Sequence, residues 1–156
     1  MTCDFAENYS FIVQDEAQSF HWNNSMATVH PFVVYYKENN ELKHKSFVFI
    51  SECMKHDTVL VYTFQRKLLA LLRTELLPNL KKIFYFSDGL AAQYKNWKNF
   101  ANLCNHHNNF QGIEAEWHFY ATAHGKGVCD GVGGTVKRLA AKASLQNPLS
   151  NQIMTP

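Results

Sequence analysis

The sequence predicts an α/β domain with the element order β-β-β-α-β-α-β-α. Three segments rich in aromatic and β-branched residues follow one another in the first third of the chain. A leucine-rich stretch then changes to a helical period. Beyond it, short apolar strands alternate with helical segments, the pattern of βα units.

The first strand is read over residues 4–14 (DFAENYSFIVQ), where Phe5, Tyr9, Phe11, Ile12 and Val13 supply the β-formers. Residues 15–27 are polar and read as a connection. The second strand is 28–37 (TVHPFVVYYK), and Pro31 argues that it lies at a sheet edge or begins after that residue. A turn at 38–41 leads to the third strand, 44–53, which suggests an antiparallel meander. Over 57–77, Leu60, Phe64, Leu68, Leu71, Leu72 and Leu76 recur at helical steps, with Asp57 or Thr58 as cap and Pro78 as stop. Residues 82–87 (KIFYFS) are nearly all apolar, as in a strand covered on both faces. A helix is expected over 91–104, with Tyr94, Trp97, Phe100, Ala101 and Cys104 on one side. The fifth strand is 113–122, and the last helix is 135–144.

Composition narrows the classes. At 156 residues with 46% hydrophobic and 18% charged residues, the chain has a globular rather than a disordered balance. It reads as one core domain over 1–146, truncated at its start, and a polar tail over 147–156. No apolar run approaches a membrane span. Four scattered cysteines without a Cys-x-x-Cys pair indicate no disulfide framework, so a reducing, intracellular setting is expected. A net charge of +2 neither demands nor excludes a nucleic-acid partner. The absence of Gly-x-Ser-x-Gly argues against a serine hydrolase.

Chemistry concentrates between His124 and Arg138 (HGKGVCDGVGGTVKR), where five glycines surround Asp130. The spacing fits neither a dinucleotide-binding nor a P-loop fingerprint. Two readings stand: an acid brought close to a metal or phosphate by flexible backbone, or a glycine-rich turn whose aspartate caps the next helix. Asp4 on the first strand and Asp88 at the end of the fourth hold comparable positions, and strand ends are where ligands gather in open α/β sheets. Three converging carboxylates repel one another unless a divalent cation joins them. Oxygen ligands suit Mg²⁺ or Mn²⁺, and paired ions stabilise both oxygens of a phosphoryl displacement.

The element order, with Asp4 in DFAENYS, Asp88 in YFSDG and Asp130 in HGKGVCDGVGG, resembles the RNase H-like superfamily, specifically the catalytic cores of DDE/DDD transposases and integrases. It is also similar to transposon-derived animal proteins carrying YFSDG…QYKN and HGKG.CDG.GG.VKR. The resemblance implies a five-stranded mixed sheet, three strands antiparallel and then two parallel, flanked by helices. It implies Mg²⁺- or Mn²⁺-dependent DNA cleavage and strand transfer, with Asp4, Asp88 and Asp130 as catalytic metal ligands. DNA as partner, a nuclear location and a homo-oligomer within a longer parent protein follow from it. The alternative is a domesticated, inactive domain that binds nucleic acid or protein.

Around the acids, His124 is a candidate to orient a water or phosphate and Lys126 to contact phosphate. Lys95, Lys98, Lys137 and Arg138, with Lys142, Tyr94 and Trp97, are candidates for a nucleic-acid surface, against the plainer reading of solvated helix faces. Cys104 and His107 have a Cys-x-x-His spacing that would need further ligands, such as His118 and Cys129, to hold zinc.

Overall fold

A computed structural model describes residues 1–12, 25–121, 127–147, 153 and 155–156. In chain order the elements are β1 (Thr2–Cys3), β2 (Tyr9–Ser10), β3 (Met26–Glu38), β4 (Glu41–Ser51), α1 (Thr58–Leu71), β5 (Lys82–Ser87), α2 (Trp97–Cys104), α3 (His106–Asn109), β6 (Glu114–Phe119) and α4 (Val128–Gln146). They form an α/β fold with one mixed, open sheet flanked by helices. β4 lies outside β3, β1 and β2 share the other side of β3, and β5 and β6 follow. β1 runs antiparallel to β3 and parallel to β5, and β6 runs parallel to β5.

The sheet has six strands rather than the expected five: within the segment expected as one first strand, 4–14, the described residues form only β2, and a separate β1 lies ahead of it, so Asp4 falls just past a strand and not on one. Between the Cys3–Phe32 and Tyr9–Ala27 pairs, six steps along one chain face five along the other. That is one extra residue, a bulge. Pro31 contributes to the break. It lies inside β3, opposite Val48 of β4, and not at an edge. The two-residue hairpin with positive φ at Asn39 (51°) and Asn40 (65°) directs the even residues of β3 towards β4. Pro31 therefore turns its proton-less nitrogen towards Asp4. Only the Asp4 N–H to Pro31 O bond forms, at 3.4 Å.

Asp57 caps α1, accepting the Val59 and Leu60 N–H groups at 3.0 Å each. Leu60, Val61, Phe64, Leu68, Leu69 and Leu72 form its buried stripe, and they pack on Phe32, Val34, Ile83 and Tyr85 of the sheet. Leu72–Leu76 continue α1 as a π-helical turn. On the opposite face α4 packs over β3, β1 and β4. There Ala140 and Ala141 meet Tyr9, Phe11, Ala27 and Val29. Ile153 of the expected polar tail joins the same cluster.

Three further expectations are corrected. β5 occupies 82–87 as read, yet it is covered on one face only: Ile83, Tyr85 and Ser87 are buried while Phe84 is exposed. The cause is that α4 stops short of β5 and β6. The helix expected from 91 begins at Trp97, because Asn96 caps it by accepting the Asn99 N–H at 3.0 Å. Trp97 is 74% exposed and Phe100 is also exposed, whereas Tyr94, ahead of the helix, is buried. Lastly, α4 starts at Val128, seven residues before its expected start, and runs through three glycines. A Cβ at Gly133 would lie 2.7 Å from the Cβ of Ala6, so that glycine serves close helix-on-sheet packing rather than approach to a ligand.

Candidate functional site

β1 and β5 are parallel neighbours with Thr2 beside Phe86. Two residues further along each chain stand Asp4 and Asp88. The register therefore sets these two acids side by side, just past the carboxyl ends of adjacent parallel strands, with both partly buried.

Local bonding fixes Asp88. Its Oδ1 accepts the Leu90 N–H at 3.1 Å, which turns the chain away from β5. The Trp117 indole N–H donates to Ser87 Oγ (2.9 Å), and Ser87 Oγ donates to the Asp88 carbonyl (2.9 Å). The loop beyond is tied down from below. Tyr94 OH bonds buried His30 Nε2 at 3.0 Å. Asn96 Nδ2 donates to Thr58 Oγ1 (2.7 Å) and Ala91 O (2.8 Å), and Asn99 Nδ2 donates to Tyr94 O (2.8 Å). The QYKN stretch is thus a brace for the loop that carries Asp88.

Asp130 is the third residue of α4. The Gly127 N–H donates to its Oδ2 at 3.0 Å, which is the reciprocal half of a capping box. The first turn of α4 docks on β1, with Cys129 Sγ 3.4 Å from Thr2 Oγ1. This acid therefore caps its helix, and it stands near enough to Asp4 for its charge to act there.

The three acids share one electrostatic neighbourhood. The Asp4 carboxyl is pushed up to about 6, first by burial, then by the charge of Asp88 and, less, by that of Asp130; the Phe5 N–H opposes the shift. Among the described residues, however, no three His, Cys, Asp or Glu side chains are already arranged as a ligand set. The donors still suit a hard cation. Asp88 Oδ2 and Asp130 Oδ1 have no hydrogen-bond donor among the described residues, since each acid spends only its other oxygen on backbone.

The basic candidates divide. Lys95 sits over the Phe119 ring (5.6 Å to the centroid), close to Gly89 and hence to Asp88. Lys98 stacks on Trp97 at 5.9 Å. Lys137 reaches Glu7, its Nζ 3.3 Å from the Glu7 carbonyl oxygen, and Arg138 bonds Thr135 Oγ1 at 3.4 Å. The first pair lies on the α1–α2 side of the sheet and the second on α4, so the four do not make one surface. His124 and Lys126 lie outside the described residues.

The zinc candidates do not converge. Cys104 and His107 are exposed, His118 contacts Glu116 (3.4 Å), and Cys129 is held at Thr2. Of the adjacent pair His106 and His107, His106 is the one held in the core, bonded to Tyr85 OH (2.8 Å) and Ile113 O (2.7 Å).

Sequence reasoning missed a ribbon on the open face of β5 and β6. Tyr120 and Phe86 lie 6.3 Å apart, Phe86 and His118 5.0 Å, and His118 and Phe84 6.2 Å, with ring planes within 30° in each pair. Lys82 caps its far end over Phe84 at 5.1 Å. The signal was the alternate spacing of Phe84 with Phe86 and of His118 with Tyr120. Tyr120 lines a small cleft together with Asp4, Gly127 and Cys129, so the ribbon starts beside Asp4. No helix among the described residues is long and apolar enough to cross a membrane.

One family model, described as Domain of unknown function (DUF8701), matches residues 1–156. No curated protein and no solved structure matches the chain.

Proposed function

The chain belongs to the DUF8701 family, and we propose that it is an RNase H-like, divalent-metal-dependent core that cleaves or transfers DNA strands. The observation that carries this reading is the Asp4–Asp88 register at the ends of β1 and β5, with Asp130 close enough to raise the Asp4 carboxyl. Asp4, Asp88 and Asp130 hold Mg²⁺ or Mn²⁺. The ion supplies charge stabilisation for an in-line attack on a phosphodiester. Asp4 must give up its proton to serve, which a nearby cation favours. Lys95 beside Asp88 and the ribbon from Tyr120 to Phe84 offer a cation and ring faces to a strand of DNA. A DNA substrate places the protein in the nucleus, as part of a transposon-derived protein.

A second reading has its own support. Asp88 and Asp130 each give an oxygen to capping their own backbone, and no ligand set is closed among the described residues. In that reading the domain binds nucleic acid or protein without catalysis. Nicking of supercoiled plasmid with Mg²⁺ decides between them. Wild type is expected to nick and Asp88→Asn to lose at least about a hundredfold. Equal nicking by both proteins removes Asp88 from the chemistry, and none by wild type favours the second reading.

A further inference from the structure

β4 is the outermost strand on its side of the sheet. It pairs with β3 along its whole length, Glu41 to Ser51, in one unbroken register. The hairpin at Asn39 and Asn40 makes Glu38 and Glu41 a hydrogen-bonded pair, so the odd residues of β4 turn their N–H and C=O groups to β3. Leu42, His44, Ser46, Val48 and Ile50 turn theirs outward, and no other strand meets them among the described residues. β4 is bordered by β3 alone, so no strand of the sheet, prolonged at either end, would cover this edge.

The edge lacks most of the devices that keep strands apart. It is eleven residues long, without proline or bulge. Leu42 and Ile50 stand 71% and 46% exposed on it. Its lysines are confined to one half: Lys43 and Lys45 precede Ser46, and Phe47 and Phe49 follow it. Alternation puts these four on one face. Lys45 lies over Phe47 at 5.6 Å, Glu38 of β3 holds Lys43, and both rings pack partly on the core.

That order is complementary to itself in one arrangement. Two copies of β4, side by side and antiparallel with Ser46 opposite Ser46, bring Lys45 of each beside Phe47 of the other, and Lys43 beside Phe49. These are non-hydrogen-bonded pairs, whose side chains come closest. A lysine beside an aromatic ring there gains cation–π attraction. On the other face Leu42 meets Ile50, which covers both exposed apolar side chains. The outward residues exchange about ten backbone bonds, two for each hydrogen-bonded pair. Centring the pair on Lys45 instead sets lysine against lysine, and centring it on Phe47 leaves Leu42 without Ile50.

We propose that β4 pairs with β4 of a second copy of this chain in the Ser46-centred register, joining two sheets into one across a two-fold axis. Strand addition supplies the affinity, and the lysine–phenylalanine order supplies the register. The contact is small for an interface, so the dimer forms at about 10–100 µM and not at nanomolar concentration. β1 runs parallel to β4, so the two acid groups lie at opposite ends of the joined sheet and both stay open. The inference is therefore independent of the reading of the acids.

Sedimentation equilibrium of the full chain over about 1–300 µM tests it. The mass should rise from the 18.0 kDa of one chain towards twice that. Ser46→Pro removes an outward N–H that β3 does not use, and should weaken the dimer about tenfold with little change in thermal midpoint. If that variant fails to fold, Ile50→Lys, at an exposed position, should weaken it by a similar factor. The register has its own readout. With Cys53 and Cys104 replaced by serine, Ser46→Cys should form a disulfide-linked dimer under diamide, whereas His44→Cys, which faces Val48, should not. A monomer throughout the range, a dimer indifferent to both Ser46→Pro and Ile50→Lys, or equal crosslinking at positions 44 and 46 would overturn the proposal.

Discussion

Gly133 of α4 lies so close above Ala6 that a single methyl group there would come within 2.7 Å of the Ala6 Cβ. The two residues are distant in sequence, yet their approach sets how tightly α4 sits on the sheet and hence where Asp130 stands. Gly131 and Gly134 are also helical and would meet nothing within 4 Å. The signs of three substitutions should differ accordingly. Gly133→Ala is expected to cost about 1–3 kcal/mol through overpacking. Gly131→Ala and Gly134→Ala should each gain about 0.5–1 kcal/mol from helix propensity. Urea unfolding of the three variants checks this, and a uniform sign would be wrong for this packing.

Tyr94 is wholly buried, and its hydroxyl meets a histidine that is itself buried. His30 is held neutral, its pKa lowered to about 3, chiefly by burial. Tyr94→Phe leaves Nε2 of that ring without its partner. The expected loss is about 1–3 kcal/mol in thermal or urea unfolding. A loss below about 0.3 kcal/mol would mean that the hydroxyl does not brace the Asp88 loop.

Asn96 joins two functions, as cap of α2 and as a link from the Asp88 loop to Thr58. Asn96→Ala should cost about 1–2 kcal/mol. Limited proteolysis should then cut first in the 88–96 segment. Cleavage elsewhere would place the weak point outside this loop.

Much of this fold could be read from local chemistry. The Asp57 cap, the leucine stripe of α1, the β3–β4 hairpin and the bounds of β5 depend on neighbours within a few residues. What escaped depends on distant partners. Pro31 reads as an edge signal because nothing local reveals that its bare nitrogen faces Asp4 and ends β1. The glycines of α4 read as a loop because helical glycine is costly, and the reason for Gly133 lies under it at Ala6. In the site, Asp4 and Asp88 could be assigned to neighbouring strands, but Asp4 was read on a strand over 4–14, whereas it falls just past the carboxyl end of β1. The division of Asp130 between capping and the acid group was not, since it depends on how α4 docks on Thr2.

Asp4 gives the site a pH signature. The folded protein keeps this carboxyl protonated up to about pH 6, whereas an unfolded aspartate ionises near its ordinary 3.8. Its ionisation in the folded state therefore costs stability, increasingly as pH rises from about 4 to 6 and fully above that. His30 works in the opposite sense, losing stability as pH falls from its ordinary 6.5 towards 3. The difference between wild type and Asp4→Asn isolates the carboxyl. Without divalent ions, Asp4→Asn should match wild type below pH 4 and exceed it by about 1 kcal/mol at pH 7.5, after allowance for solvent screening of a partly exposed group. Chemical denaturation at both pH values checks it. A constant difference would show that Asp88 and burial do not strain Asp4.

The most direct measurement is the thermal midpoint at pH 7.5 with and without millimolar Mn²⁺, for wild type and for Asp4→Asn. If the three carboxylates hold the ion, Mn²⁺ at about ten times its Kd adds about 1.4 kcal/mol, a rise of about 3–6 °C, in wild type. Asp4→Asn should lose most of that rise. No rise in wild type, or the same rise in the variant, would contradict a metal held between Asp4 and Asp88.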